Sequence, residues 1–168
     1  EAVLTRENLR AAWMAVKANR GAAGVDGMGI TETQAHLSEH WESIESKLRA
    51  DSYKPAAVLA VDIPKASGGT RRLGIPNVQD RLIQQAIHQQ LSPVWEPVFS
   101  DHSYGFRPGR SAHDAIRTAQ SYVQAGKRWV VDIDLKSFFD EVNHDILMRE
   151  VAKRVRDKPL LRLIGNYL

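Results

Sequence analysis

Residues 129–145 read Trp-Val-Val-Asp-Ile-Asp-Leu-Lys-Ser-Phe-Phe-Asp-Glu-Val-Asn-His-Asp, an apolar run that leads acidic residues into an aromatic turn. The alternation predicts a β-strand from Trp129 to Leu135, because successive side chains of a strand point to opposite faces. Asp132 and Asp134 then share one face. A carboxylate at a strand end can bind Mg²⁺ while leaving coordination positions for substrate phosphates. The stretch therefore indicates metal-dependent phosphoryl transfer.

The composition is that of an ordinary folded globular protein. The 168 residues, 43% hydrophobic and 26% charged, suffice for one domain or slightly more. No apolar run approaches the roughly 18 residues of a membrane helix, so we expect no membrane partner. The chain has no cysteine, which excludes disulfides and thiolate metal sites and agrees with a cytoplasmic location. It lacks an initiator Met and residues 160–168 are apolar, so we expect a piece of a longer protein.

Positive charge is concentrated in the later part of the chain. Residues 1–52 hold six Lys and Arg against eight Asp and Glu, whereas residues 53–168 hold seventeen against twelve. A basic surface attracts polyanions because binding releases their counterions, which makes nucleic acid a reasonable partner. On charge alone, a solvated surface whose charges cancel in space is an equally good interpretation.

Hydrophobic periodicity and breaker residues predict an α+β fold, with helices flanking a small antiparallel hairpin sheet and the Trp129 strand opening a second sheet. The hairpin has strands at residues 58–64 and 71–75 and a basic tip. Helices are predicted after a Thr5 cap, after a Thr31–Gln34 capping box, and at residues 78–92, 111–124, 143–155 and from Pro159 onward. The helix at 111–124 is expected to bury Ile116, Ala119 and Val123.

Four ordered blocks of sequence resemble the reverse transcriptases encoded by group II introns. An ordered set of this kind is far more specific than an Asp-x-Asp pair, which glycosyltransferases also use. The blocks are Gly24-Val25-Asp26-Gly27; Ile63-Pro64-Lys65 with Arg71-Arg72-Leu73-Gly74-Ile75-Pro76 and Asp80-Arg81; the run from Ser103 to Ala115, Ser-Tyr-Gly-Phe-Arg-Pro-Gly-Arg-Ser-Ala-His-Asp-Ala; and the run from Asp134 to Asp140, Asp-Leu-Lys-Ser-Phe-Phe-Asp.

This resemblance implies a right-hand polymerase architecture. Residues 1–125 would form the fingers with an N-terminal reverse-transcriptase extension, and residues 126–168 the truncated beginning of the palm. The implied parent is an RNA-directed DNA polymerase that binds an RNA template, a DNA or RNA primer and a dNTP, and that can also bind its intron RNA as a maturase. Oligomeric state is left open.

The resemblance also implies the roles of individual residues. Asp134 would be the catalytic ligand of Mg²⁺, helped by the backbone carbonyl of Leu135, and Phe139 would exclude a ribose 2′-hydroxyl. Lys65 and Arg71 of the hairpin would hold the triphosphate of the incoming nucleotide. Arg72 is the weaker candidate, because strand alternation places it on the face opposite Arg71.

Further contacts are expected in the loop that precedes the helix at residues 111–124. Arg107 and Arg110 would contact template phosphates, and Tyr104 and Phe106 would pack beneath the loop or stack on a base, packing being the favoured role for Phe106. Phe138 in the aromatic turn is expected to be a core residue.

The second acidic motif of the family, a Tyr-x-Asp-Asp turn, does not occur between Asp145 and Leu168. Because such polymerases hold two metals with acids from two motifs, we expect the isolated chain to lack polymerase activity. One alternative is a noncatalytic, maturase-type RNA-binding module. A more distant one is a glycosyltransferase using Asp132 and Asp134, which leaves the basic hairpin unexplained. Relatives in mobile introns, phage defence, CRISPR loci and DNA repair share the same motifs.

Overall fold

A computed structural model describes residues 1–66, 68–135 and 137–168. Ser67 in the predicted hairpin tip and Lys136 in the aromatic turn lie outside the described residues. The elements, in chain order, are α1 (Arg6–Asn19), α2 (Ile30–Arg49), β1 (Leu59–Pro64), β2 (Thr70–Ile75), α3 (Val78–Trp95), α4 (Ala112–Gln124), α5 (Phe138–Glu141), α6 (His144–Ala152) and α7 (Lys158–Asn166), with single 3₁₀ turns at Ala2–Leu4 and Glu96–Val98. Helices combined with one small antiparallel sheet confirm the predicted α+β class.

The chain divides into two compact units. The first comprises Glu1–Leu91 and His144–Leu168, and the second comprises Ser92–Asn143. Helix α3 runs from the first unit into the second. The boundary near residue 126 between fingers and palm stays a prediction. In the part of the chain that the structure describes, no helix is long and apolar enough to cross a membrane.

The first unit contains the hydrophobic core. Ile44 and Leu48 of α2 pack with Tyr53 and with Ile83 and Ile87 of α3. Helix α7 covers the same cluster with partly buried side chains, namely Leu160, Leu163, Ile164 and Tyr167. Burial of side chains of this size stabilises a fold by about 1.5–3 kcal/mol each.

Local signals account for several helix boundaries. The Thr5 side chain accepts a hydrogen bond from the Asn8 amide at 3.4 Å, which confirms the predicted cap. Ser111 accepts one from the Asp114 amide at 3.3 Å, at the predicted start of the helix at residue 111. The predicted cap at Thr31 is wrong, since α2 begins at Ile30 with Gly29 as its N-cap. Thr33 in the first turn is fully buried, so tertiary packing places this helix start in spite of the capping pattern.

The apolar face of α4 is exposed, contrary to prediction. Ile116 is 65% exposed and Val123 is 67% exposed, and the less exposed positions are Asp114, Ala115 and Thr118. The physical reason is that the second unit has no core, since none of its described residues is buried. The unit therefore offers no core against which this face could pack.

The predicted strand from Trp129 to Leu135 is wrong for this structure. These residues have no regular secondary structure, and Trp129 and Ile133 are 95% and 81% exposed. A strand is stabilised by ladder hydrogen bonds to a neighbour. Strands β1 and β2 pair with each other, and no other strand is present among the described residues to pair with this segment.

Candidate functional site

The hairpin separates its two neighbouring arginines onto opposite faces. Its register pairs Asp62 with Arg72 and Ile63 with Arg71. The Arg72 Nε lies 3.3 Å from Asp62 Oδ1, in a cross-strand ion pair. Such an exposed pair contributes at most about 1 kcal/mol of stability. The ion pair nevertheless partly neutralises the charge of Arg72, on the hairpin face opposite Arg71.

Lys65 and Arg71 keep their charges available. The backbone N–H of Lys65 donates to the Gly69 carbonyl at 2.9 Å, which closes the turn. Neither side chain has an ion pair or hydrogen bond with another described residue, and both are exposed. The hairpin therefore presents one ammonium and one guanidinium group that can bind a polyphosphate.

Arg107 is fully engaged within its own unit. Its side chain is 7% exposed, and Nη2 lies 2.8 Å from Glu96 Oε1. Nε also donates to the Glu96 carboxylate, and Nη1 donates to the carbonyls of Ser100 and Ser103 at 2.6 and 3.0 Å. The second N–H of Nη2 donates to the Glu96 carbonyl at 3.4 Å. All five N–H groups of a guanidinium are then used. These hydrogen bonds fix the loop, and the predicted contact of Arg107 with a template phosphate stays a prediction.

Arg110 and Tyr104 brace the other side of the same loop. Arg110 Nη1 donates to the Asp101 carbonyl at 2.8 Å, and its guanidinium lies 5.7 Å from the centroid of the Tyr104 ring. The Tyr104 hydroxyl is 2.7 Å from Thr118 Oγ1 on α4. Arg110 Nη2 also lies 3.4 Å from Asp101 Oδ1, while no other described residue accepts from the remaining N–H groups of Arg110 and 30% of its side chain is accessible. Its predicted contact with a template phosphate stays a prediction.

Phe106 is the exposed tip of this loop. The prediction that it packs is wrong, because the residue is fully exposed and has a left-handed backbone with φ +55°. A non-glycine residue in that region costs about 1–2 kcal/mol. The hydrogen bonds of Arg107 hold the adjoining backbone, so the loop presents the aromatic ring to solvent on a fixed support.

The aromatic turn with the acidic residue before it, residues 134–140, is called the acidic turn from here on, and three of the predicted site residues in it are exposed. Asp134 is exposed, Leu135 is 64% exposed and Phe139 is 86% exposed. Phe138 is 48% exposed, so its predicted burial is wrong. The two phenylalanine rings contact edge to face, with centroids 5.5 Å apart. Neither ring packs into a core, because none of the described residues of the second unit is buried.

The donor atoms of this turn suit Mg²⁺ in kind but not in number. The Asp134 carboxylate and the Leu135 carbonyl are hard oxygen ligands of the type that Mg²⁺ prefers. Among residues 1–66, 68–135 and 137–168, however, no group of three His, Cys, Asp or Glu side chains converges in a way that could hold a metal. A complete divalent-metal site needs further ligands.

A buried polar cluster in the first unit was not anticipated from the sequence. Asp80 of α3 is 2% exposed and accepts hydrogen bonds from the hydroxyls of Tyr53 and Tyr167 at 2.8 and 3.1 Å. Burial raises the pKa of both tyrosines, so each remains a protonated donor. Tyr167 lies 87 positions from Asp80, and no local signal connects residues so far apart.

The chain is similar in sequence to one protein family and to several known proteins. The family described as reverse transcriptase (RNA-dependent DNA polymerase) matches residues 63–168. Protein YkfC of Escherichia coli strain K12 is 39% identical over 149 residues, which cover 86% of this chain and 39% of that protein.

Two further relatives carry intron-related names. The group II intron-encoded protein LtrA of Lactococcus lactis subsp. cremoris is 34% identical over 158 residues, covering 94% of this chain and 26% of that protein. The mitochondrial nuclear intron maturase 1 of Arabidopsis thaliana is 39% identical over 93 residues, covering 55% of this chain and 13% of that protein. The chain thus spans about two fifths or less of the length of these curated relatives.

The family match covers more than half of the chain, and it includes the hairpin turn with strand β2, the loop of Tyr104 and Arg110 and the acidic turn. The relatives extend the similarity over the glycine-rich segment before the hairpin. The chain belongs to the reverse transcriptase (RNA-dependent DNA polymerase) family, and its similarity within that family is to the group II intron-encoded reverse transcriptases and intron maturases.

Proposed function

We propose that this chain is the nucleotide- and template-binding part of an RNA-directed DNA polymerase of the group II intron type. The observation that supports the proposal is the arrangement of charges on the hairpin. Arg72 forms an ion pair with Asp62, whereas Lys65 and Arg71 are exposed and form no ion pair or hydrogen bond through their side chains with another described residue. The acidic turn is proposed separately, as the segment whose Asp134 would bind the catalytic metal ion.

The hairpin cations suit the triphosphate of an incoming dNTP. A lysine ammonium acts as a compact point charge, and an arginine fork can bind two phosphate oxygens at once. Phosphoryl transfer needs positioning and stabilisation of charge on the phosphate oxygens more than covalent chemistry from the protein. Lys65 and Arg71 would orient the triphosphate and offset its negative charge.

Mg²⁺ would be held by Asp134 and the Leu135 carbonyl, together with ligands that the described residues do not supply. When bound, a divalent ion neutralises phosphate charge and orients the reacting groups. The segment from Trp129 to Leu135 exposes its apolar side chains, and we propose that it becomes the first palm strand when it pairs with a neighbouring strand in the full-length protein. The fingers would then be residues 1–125 and the palm would begin at residue 126.

An RNA template and a DNA or RNA primer are the proposed macromolecular partners. Phe106 offers a fully exposed ring on which an unpaired base could stack, and alanine substitution of such stacking residues costs about 1–3 kcal/mol per base. Arg110 lies in the same loop and keeps free donors for a phosphate. Arg107 holds this loop through its hydrogen bonds to Glu96, Ser100 and Ser103. The proposed contacts with nucleic acid are therefore those of Phe106 and Arg110.

The isolated 168-residue chain is expected to show no DNA synthesis. Its acidic turn supplies one carboxylate ligand, whereas two-metal catalysis requires acids from a second motif. The measurement is primer extension on an RNA template with Mg²⁺ and all four dNTPs. The full-length protein serves as the positive control, and extension by the isolated chain would contradict the proposed division of the site.

Arg71→Ala in the full-length protein is expected to raise the KM for dNTP by about tenfold, because loss of one charge-assisted hydrogen bond costs about 1.5–3 kcal/mol. Arg72→Ala is the matched control, since it removes the same side chain from the neighbouring position and the opposite face. We expect a change of less than about twofold for Arg72→Ala, as for other exposed ion pairs. Steady-state kinetics of single-nucleotide insertion measure both. Equal effects of the two variants would remove the special role of Arg71.

The alternative of a noncatalytic RNA-binding module keeps a specific basis, because two relatives are named intron maturases. Such a module would bind RNA with an affinity that falls steeply with salt, and the full-length protein would not extend a primer. Polymerisation by the full-length protein, lost on substitution of the acidic turn, distinguishes the polymerase from this alternative.

A further inference from the structure

The root of the hairpin converges on a single buried carboxylate. We propose that Asp80 is a positioning residue, which holds both ends of the hairpin and helix α7 at one point and thereby sets the location of Lys65 and Arg71. The functional part of this inference rests on the proposed binding of nucleotide by the hairpin. The anchoring itself is a property of the first unit and can be tested without activity.

Asp80 uses both of its carboxylate oxygens. Oδ1 accepts from the Tyr53 hydroxyl at 2.8 Å and from the Tyr167 hydroxyl at 3.1 Å, and Oδ2 accepts from the backbone N–H of Ala56 at 3.1 Å. Gln79 donates to the Tyr53 hydroxyl at 2.9 Å and orients it. A buried charge is tolerated when several donors surround it. Three donors meet at this one side chain.

The positions of these donors tie the carboxylate to both strands. Ala56 lies three residues before the start of β1, and β2 ends at Ile75, with only two residues between it and the start of α3 at Val78. Asp80 lies in the first turn of α3. It therefore fixes the entrance of β1 through a hydrogen bond and the exit of β2 through the chain itself. The hairpin tip, where Lys65 lies, has no such anchor among the described residues.

Helix α7 shares the same anchor. Tyr167, which is the C-cap residue of α7, reaches Asp80 with its hydroxyl while Leu160, Leu163 and Ile164 pack on the core beside Ile83. Arg162 of α7 also pairs with Asp51 in the turn after α2. A displacement of α7 would withdraw one of the three donors of Asp80, so the position of α7 is coupled to the root of the hairpin.

The same junction also receives the glycine-rich segment before α2. Asn77 Oδ1 accepts from the Asp26 amide at 3.4 Å, and a Cβ atom built on Gly24 would lie 2.2 Å from Asn77 Oδ1 and 2.7 Å from the Asn77 backbone nitrogen. Only glycine permits this approach. Residues 77–81 thus locate the glycine-rich segment, the hairpin and α7 together.

The test uses Asp80→Asn and Tyr167→Phe in the full-length protein, with Asp62→Asn as the control. An asparagine at position 80 keeps the size of the side chain but replaces one acceptor oxygen by a donor group, so at least one of the three hydrogen bonds is lost. Tyr167→Phe removes a single hydroxyl. Asp62→Asn alters an exposed carboxylate on the hairpin that does not contact the root.

Hydrogen exchange of backbone amides provides the first measurement. We expect amides of β1 and β2 to exchange about tenfold faster in Asp80→Asn and about threefold faster in Tyr167→Phe, because local opening responds to the loss of local contacts. Amides of α1 should be unchanged in all three variants, and Asp62→Asn, which weakens one exposed cross-strand ion pair, should accelerate exchange in the hairpin by less than about twofold. Equal acceleration in α1 and the hairpin, or no acceleration in the hairpin, would overturn the anchoring role.

Nucleotide kinetics provide the second measurement. Asp80→Asn is expected to raise the KM for dNTP by about tenfold and to leave kcat within about twofold, as displaced binding groups would. An unchanged KM for Asp80→Asn, in a protein where Arg71→Ala does raise it, would overturn the positioning role. If Arg71→Ala also leaves the KM unchanged, the proposed nucleotide site fails, and the exchange data alone then decide the anchoring.

Discussion

Asp134→Ala in the full-length protein is expected to reduce RNA-templated DNA synthesis by at least about 10³-fold, since a metal ligand at the reacting phosphate contributes several kcal/mol to the transition state. The fold should be unaffected. Asp134 is exposed, and no hydrogen bond or ion pair joins its side chain to another described residue. Substitutions at such surface positions change the free energy of unfolding by less than about 0.5 kcal/mol.

Asp132→Ala is the matched control for Asp134→Ala. Both carboxylates are exposed and lie two positions apart in the same segment, so general loss of negative charge affects the two variants alike. Primer extension measures synthesis, thermal unfolding measures stability, and RNA binding at fixed salt shows whether the template still binds. Synthesis by Asp134→Ala near the unsubstituted rate would reject its assignment as the metal ligand. An equal loss in both variants would show that the segment acts through charge alone.

Elements that depend on neighbouring residues were predicted well from the sequence. The caps at Thr5 and Ser111 are three-residue signals, and the structure contains both hydrogen bonds. The hairpin strands lie within one residue of their predicted bounds, because two apolar runs around a Gly-Gly turn leave little freedom in register. The separation of Arg71 from Arg72 followed from strand alternation alone.

Properties that depend on distant partners could not be predicted in the same way. Periodicity shows that α4 has an apolar face, but not whether another element covers it, and Ile116 is exposed. The segment from Trp129 to Leu135 has the pattern of a strand, and yet a strand requires a neighbour with which to pair. A sequence pattern describes only one of the two surfaces that form a contact, whereas burial depends on both surfaces.

The candidate site shows the same division between local and distant information. Basic residues in the Tyr104 loop suggested phosphate contacts, but Glu96, which precedes Arg107 by eleven positions, occupies that guanidinium. The link from Asp80 to Tyr167 spans more than half of the chain. Resemblance to a family assigned candidate roles to the basic residues. The hydrogen bonds then showed that Arg107 supports the loop, whereas Arg71 and Arg110 keep N–H donors available.

Phe139→Ala is expected to weaken selection against ribonucleotides. The resemblance assigns its ring to the space beside the 2′ position of the incoming sugar, and the ring is 86% exposed, so its removal leaves room for a hydroxyl without opening a core cavity. A steric barrier of about 1.4–2.8 kcal/mol corresponds to a fall of about 10- to 100-fold in the ratio of kcat/KM for dNTP to that for rNTP. Synthesis with dNTP should remain.

The neighbouring ring provides the control for this last experiment. Phe138→Ala removes a phenyl group whose centroid lies 5.5 Å from that of Phe139, and it should leave the ratio within about twofold. Single-nucleotide insertion on an RNA template, with matched dNTP and rNTP, measures both variants. An unchanged ratio for Phe139→Ala would remove this residue from the selection of the sugar. A larger change for Phe138→Ala would assign that role to the other ring, because the two side chains are in edge-to-face contact and only the one facing the sugar can exclude its hydroxyl.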